Sequence, residues 1–181
     1  MNKKFLSLII ALLFMVVLTG CIERVEEIDP TKPLAAADSS LKIANPIKEM
    51  SREELIEKTG LDLGSPEGAE DMVYSVIELS EGRPIAQLRF KLEGHELCFR
   101  AQTVNGKSAA GDISGLYYNW AYTRNTFVAR LYAVVNVSGD VGYIKWIDAE
   151  NGVQYSLSMT EGADEKLLVE LADKVFASIL A

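Results

Sequence analysis

Residues 85–92 read Ile-Ala-Gln-Leu-Arg-Phe-Lys-Leu. Ala86, Leu88, Phe90 and Leu92 alternate with Gln87, Arg89 and Lys91. A period of two puts the first set on one face of a strand and the second on the other. A strand patterned this way needs a core on one side only, as antiparallel sheets do. The pattern recurs. A turn at Glu93-Gly94-His95 leads into 96–103, where Leu97, Phe99 and Ala101 point inward. Residues 127–137 alternate through Phe127, Ala129, Leu131, Ala133 and Val135. Residues 72–79 are strand-like with less distinct faces. Residues 142–148 and 153–159 form a last pair around Asn151-Gly152, two residues that tolerate positive φ.

Such a sheet must cover its apolar face, and the chain ends on a segment suited to it. Over 164–180, Leu167, Leu168, Leu171, Ala172, Val175, Phe176 and Ile179 make one stripe at helical spacing. Asp164 and Glu165 stand at its start, where the helix dipole favours negative charge. A second, short helix is marked at both ends. Asn45-Pro46 precedes it, Ser51-Arg52-Glu53-Glu54 matches a capping box, and Gly60 supplies a left-handed stop. The expected fold is α+β. A single antiparallel sheet of about six strands carries the short N-terminal helix and the long C-terminal helix on one face. Residues 45–181 are enough for one such domain, burying roughly two-thirds of the unfolded surface.

The first residues are of another kind. Lys3 and Lys4 precede an apolar run, 5–18, in which Ser7 is the polar exception. That run is shorter than the roughly 20 residues a spanning helix needs. A basic start, a short apolar stretch and small residues after it describe a secretory signal peptide over 1–20. Leu18-Thr19-Gly20-Cys21 then resembles the lipobox of bacterial lipoproteins. The resemblance implies that the Cys21 thiol receives a diacylglyceryl group and becomes the new N-terminus, carrying palmitate-type acyl chains. Two or more chains hold a protein stably on a membrane. The plainer alternatives are an ordinary signal peptide with a coincident cysteine, or an uncleaved N-terminal helix. Residues 21–44 hold Glu23, Glu26, Glu27, Asp29, Pro30 and Pro33 and a run of small residues. Their apolar residues are too scattered to bury a face, so they read as the lipidated cysteine followed by a flexible tether.

Loss of residues 1–20 leaves 16 basic against 26 acidic residues, a net charge of −10. An acidic body repels phosphate backbones, so no nucleic acid partner is expected. Cys98 is the sole cysteine besides Cys21. An internal disulfide is therefore not expected, and the domain must rely on its core.

Several motifs occur together in one order. They are Asn45-Pro46, the helix ending at Gly60, Ile85-Ala86-Gln87-Leu88-Arg89-Phe90, Phe99-Arg100 and Asp112-Ile113-Ser114-Gly115-Leu116-Tyr117. Lys145-Trp146-Ile147-Asp148, Tyr155-Ser156-Leu157-Ser158 and the Leu-rich C-terminal helix follow. Residues 45–180 in this respect resemble the domain of unknown function family 4367, whose secreted or membrane-attached members are common in Firmicutes. The resemblance implies an architecture and a lineage. It implies no activity.

The chemistry-bearing residues are few. His95, the single histidine, sits with Glu93 and Glu96 in a turn that makes a poor metal cage, so no metal site is assigned. Cys98 falls on the opposite strand face from His95. It shares a face with Arg100, whose charge favours the thiolate. A packed, idle thiol is nonetheless the expected reading, and a nucleophile activated by Arg100 the alternative. No serine has a nucleophile-elbow context, and no phosphate loop or dinucleotide fingerprint is present. No catalytic residue is assigned, although a two-carboxylate hydrolase stays open. Asp112 and Ser114 can bond nearby backbone N–H groups, and Gly115 allows positive φ, which suits a structural loop. A ligand-gripping loop is the alternative. Tyr117, Tyr118, Trp120 and Tyr122 form the densest aromatic stretch and a candidate recognition patch, unless the crossover covers them.

These features predict a lipoprotein held by its lipid on the outer face of the cytoplasmic membrane. It would act as a binding or interaction module for a protein or envelope component. No cofactor is expected beyond the covalent diacylglycerol on Cys21. The alternative is a carrier or sensor of a small apolar ligand, held between the sheet and the C-terminal helix.

Overall fold

The computed structural model describes residues 47–79, 83–104 and 111–180. The predicted signal peptide, Cys21 and the tether lie outside the described residues. Eight strands are seen: β1 (Ile47–Glu49), β2 (Glu70–Ile77), β3 (Ile85–Leu92), β4 (His95–Thr103), β5 (Tyr122–Val128), β6 (Leu131–Ser138), β7 (Val141–Asp148) and β8 (Val153–Met159). They form one sheet in the order β1-β2-β3-β4-β8-β7-β6-β5, antiparallel at every pairing. Two helices accompany it, α1 (Arg52–Thr59) and α2 (Glu165–Leu180). The sheet is thus two meanders, β1–β4 and β5–β8, joined where β4 pairs with β8.

The α+β architecture agrees with the sequence reading; the expected count of about six strands does not. One added strand is β1, whose three residues are too short and exposed to show a period. The other comes from splitting 127–137. The chain reverses at Ala129 (φ 46°) and Arg130 (φ 74°), and Val128 pairs with Leu131 across them. Two consecutive positive φ values are the signature of a type I′ turn, usually written Asn-Gly or Asp-Gly. The reversal flips the parity of the side chains. Ala133 and Val135 face the core, while Phe127 pairs with Tyr132 and both are exposed. The last hairpin also differs in detail. A four-residue connection, 149–152, joins Asp148 to Val153, and of Asn151-Gly152 only Gly152 (φ 64°) is left-handed.

Both helices lie on one face. In α1 the Ser51 hydroxyl accepts from Glu54 N–H at 3.2 Å, and the Glu54 carboxylate accepts from Ser51 N–H at 2.9 Å. Gly60 (φ 70°) closes the helix. Leu55 of α1 joins Val76, Ala86 and Leu88 in the core. Leu168, Leu171, Ala172, Val175 and Phe176 of α2 bury the same side over the second meander. The middle of this face is aromatic. Phe99, Trp146 and Tyr155 stack side by side across β4, β7 and β8, with centroids 5.5–6.0 Å apart. Phe176 meets Trp146 and Tyr155 edge-on at 5.7 and 5.2 Å.

The order of strands dictates what happens on the other face. After β4, in mid-sheet, the chain must reach β5 at the far edge before it can wind back through β6 and β7 to β8. The described part of that connection is Val104 and residues 111–121. Ile113 packs on Ile77 and Ile85, and Trp120 lies edge-on over Tyr143 at 5.0 Å. The crossover therefore lies over a polar face and buries part of it. Gln87, Gln102, Gln154, Ser156 and Ser158 are all buried there.

Candidate functional site

The site begins with a register. On the face away from the helices, Ser75, Gln87, Arg100, Ser156 and Lys145 stand opposite one another across β2, β3, β4, β8 and β7. The neighbouring row is Val73, Arg89, Cys98, Ser158 and Tyr143. Strand alternation puts these long polar groups together, because their neighbours in sequence fill the core. Gln87 ties the first row: its Nε2 donates to Ser75 Oγ at 2.9 Å, and its Oε1 accepts from Arg100 Nε at 2.8 Å. Arg100 Nη1 donates to the Ile113 carbonyl at 3.0 Å, which joins the sheet to the crossover.

Asp112, Ser114 and Gly115 shape the crossover at that point. Asp112 Oδ1 accepts from Ser114 N–H at 2.8 Å, and Ser114 Oγ accepts from Leu116 N–H at 3.2 Å. Gly115 is left-handed (φ 73°), and a Cβ there would stand 2.1 Å from Arg100 Nη1. The loop thus has its own internal turns and closes on the arginine. The Asp112 carboxylate also acts on the Tyr143 hydroxyl. Burial, with the Asp112 charge second, pushes the Tyr143 phenol up to about 12.

Beside this contact runs a groove of about 410 Å³. Arg100, Ser114, Gly115, Leu116, Cys98 and Ser158 line one end, and Arg89, Lys91, Asp71 and Glu96 the other. At the second end the charges pair off: Lys91 with Asp71 and Arg89 with Glu49, each at 3.0 Å. Cys98 Sγ lies 3.5 Å from Gln87 Oε1. Burial pushes its thiol up, and this outweighs the opposite pull of Arg100. His95 sits on the other face of β4, in a hollow with Glu161 and Gly162. Among the described residues no group of three or more His, Cys, Asp or Glu side chains is placed to hold a metal.

The aromatic stretch divides. Tyr117 is 87% exposed and Tyr118 half so; Tyr118 leans on Trp120 at 5.6 Å, and Trp120 rests on the buried Tyr143. These three belong to the crossover. Tyr122 begins β5 on the helix side of the sheet, and its hydroxyl donates to Glu165 of α2. It does not join the other three. No family model, curated protein or solved structure matches this chain. What the site can do is read from its own chemistry.

Two features escaped the sequence reading. Arg100 and Ser156 looked like ordinary polar positions of half-buried strands; the register that brings them together is a long-range property. Phe127 and Tyr132, exposed by 61% and 58%, pair edge-on at 6.2 Å. A turn at Ala129-Arg130 would have revealed them, but neither residue signals one.

Proposed function

We propose that this protein is a lipid-anchored, extracytoplasmic binding module, tethered through Cys21 and akin to the unknown-function family it resembles. Its crossover presents Tyr117, Tyr118 and Trp120 to a protein or envelope component. The observation that carries the reading is the bracing of exposed rings. Trp120 is seated on buried Tyr143, so Tyr118 is held in place by a rigid sheet instead of swinging on a loop. Preformed aromatic surface binds with little loss of side-chain freedom. The ring packing of Phe176 on Trp146 and Tyr155 fills the place an apolar cargo would take, which supports this reading over a carrier.

Two measurements test it. Labelled fatty acid fed to the host should be incorporated into the protein and lost from Cys21→Ser; a parent protein that takes up no label would contradict the anchor. The full chain should co-sediment with isolated envelope fragments of its host, and Tyr117→Ser/Tyr118→Ser should reduce this at least tenfold. Undiminished binding by the double variant would reject the patch. Hydrolysis of the fragments by pure protein would reject the module reading altogether.

A further inference from the structure

We propose that the Arg100 end of the groove is a subsite for an anionic group, a carboxylate or a phosphate, on the ligand that meets the aromatic strip. Arg100 is half-buried, and the acceptors it holds, Gln87 Oε1 and the Ile113 carbonyl, are both neutral. Among the described residues no carboxylate pairs with it. Taking a cation from water without a counter-charge is costly. The sequence has 26 acidic residues, so counter-ions are plentiful. The groove's own acids, Asp71 and Glu96, are grouped around Lys91 at the other end.

The guanidinium is also held in one orientation. Two hydrogen bonds fix it, and the Gly115 backbone packs against it. A fixed planar fork suits carboxylate or phosphate oxygens. The positions next to Arg100 in the register, outside the groove lining, are polar as well. Ser156, the register partner of Arg100, has a buried hydroxyl with no hydrogen-bond partner. Lys145 stands opposite Ser156 on the next strand, half-buried and without an ion pair among the described residues. Gln154 Oε1 is a second buried orphan on this face. Cys98 adds no competing charge, because burial keeps its thiol protonated.

The groove reaches Leu116, which precedes Tyr117 in the chain. Ser158 lines it, and Ser158 stands opposite Tyr143, the residue beneath Trp120. A volume of about 410 Å³ is within the usual range for a small-molecule site. A ligand with ring-stacking surface and an acidic group would engage both. The inference rests on the binding-module reading for the identity of that ligand, while the anion site can be tested without it.

The experiment is calorimetric titration of the detergent-solubilised full chain with inorganic phosphate and, separately, with acetate, at constant ionic strength set by chloride. Saturable binding of either is expected, and the stronger one identifies the preferred acid. Arg100→Gln should weaken it at least tenfold, and Arg89→Gln less than twofold. Gly115→Ala keeps the charge but displaces the guanidinium, and should also weaken binding several-fold. Absence of saturable binding to the parent protein would overturn the proposal. So would equal losses from Arg89→Gln and Arg100→Gln, which would indicate diffuse attraction. Tyr117→Ser/Tyr118→Ser should bind the probe as the parent does. Failure of the envelope assay alone would then reject the ring patch and leave the anion site standing.

Discussion

Phe176→Ala is the perturbation that most directly examines how the sheet is covered. Phe176 is 3% exposed and meets two rings of the sheet edge-on. Truncating a buried phenylalanine costs about 3–5 kcal/mol through lost transfer energy and the cavity left behind. The rigid stack of Phe99, Trp146 and Tyr155 has little room to collapse, which argues for the upper half of that range. With a urea slope of about 1.5 kcal/mol/M, the midpoint should fall by about 3 M with an unchanged slope. Phe127→Ala is the matched control. Its ring is largely exposed and makes a single edge-on pair with Tyr132, so about 0.5–1 kcal/mol is expected. Should Phe176→Ala unfold the chain outright, Phe176→Leu keeps most of the volume and should cost about 1.5 kcal/mol or less. Urea denaturation followed by tryptophan fluorescence reads all three. Equal costs at 176 and 127 would refute the assignment of faces. A loss under about 1 kcal/mol at 176 would mean that α2 is loosely seated, and would revive an apolar cavity beneath it.

Two further outcomes are expected. Replacing Ala129-Arg130 by Asn-Gly should stabilise the domain by about 1 kcal/mol, because both positions are left-handed and ordinary side chains are strained there; thermal unfolding would show it, and a loss of stability would contradict the turn. Tyr143 and Tyr155 should ionise near 12, both chiefly because burial disfavours the phenolate, against an ordinary value of about 10. A raised value means that the folded state holds the proton longer, so this contribution is complete below about pH 10 and is lost as pH climbs toward 12. Phenolate absorbance against pH, with urea midpoints at pH 9 and 11, would check both the values and the sign.

Much of the fold is written locally. Ile85–Leu92 carries its period of two, and α2 its stripe, wherever the chain folds. The Ser51–Glu54 box and Gly60 bound α1 through atoms a few residues apart. The internal turns of Asp112, Ser114 and Gly115 follow from the short reach of the side chains involved. These statements hold because a local period or a short hydrogen bond needs no partner from elsewhere. The β5–β6 hairpin is different. Ala129 and Arg130 have no preference for positive φ, and the Ala129 N–H is held by Asp173 Oδ1 of α2 at 2.8 Å. That contact joins segments far apart in sequence, so the turn, the eighth strand and the exposure of Phe127 were decided together by tertiary packing. The same holds for the site. Alternation alone assigned Gln87 and Arg100 to the polar side of their strands. Only the strand order, which brings residues 111–121 across that face on the way to β5, turned a solvated surface into a lined groove with a half-buried arginine in it.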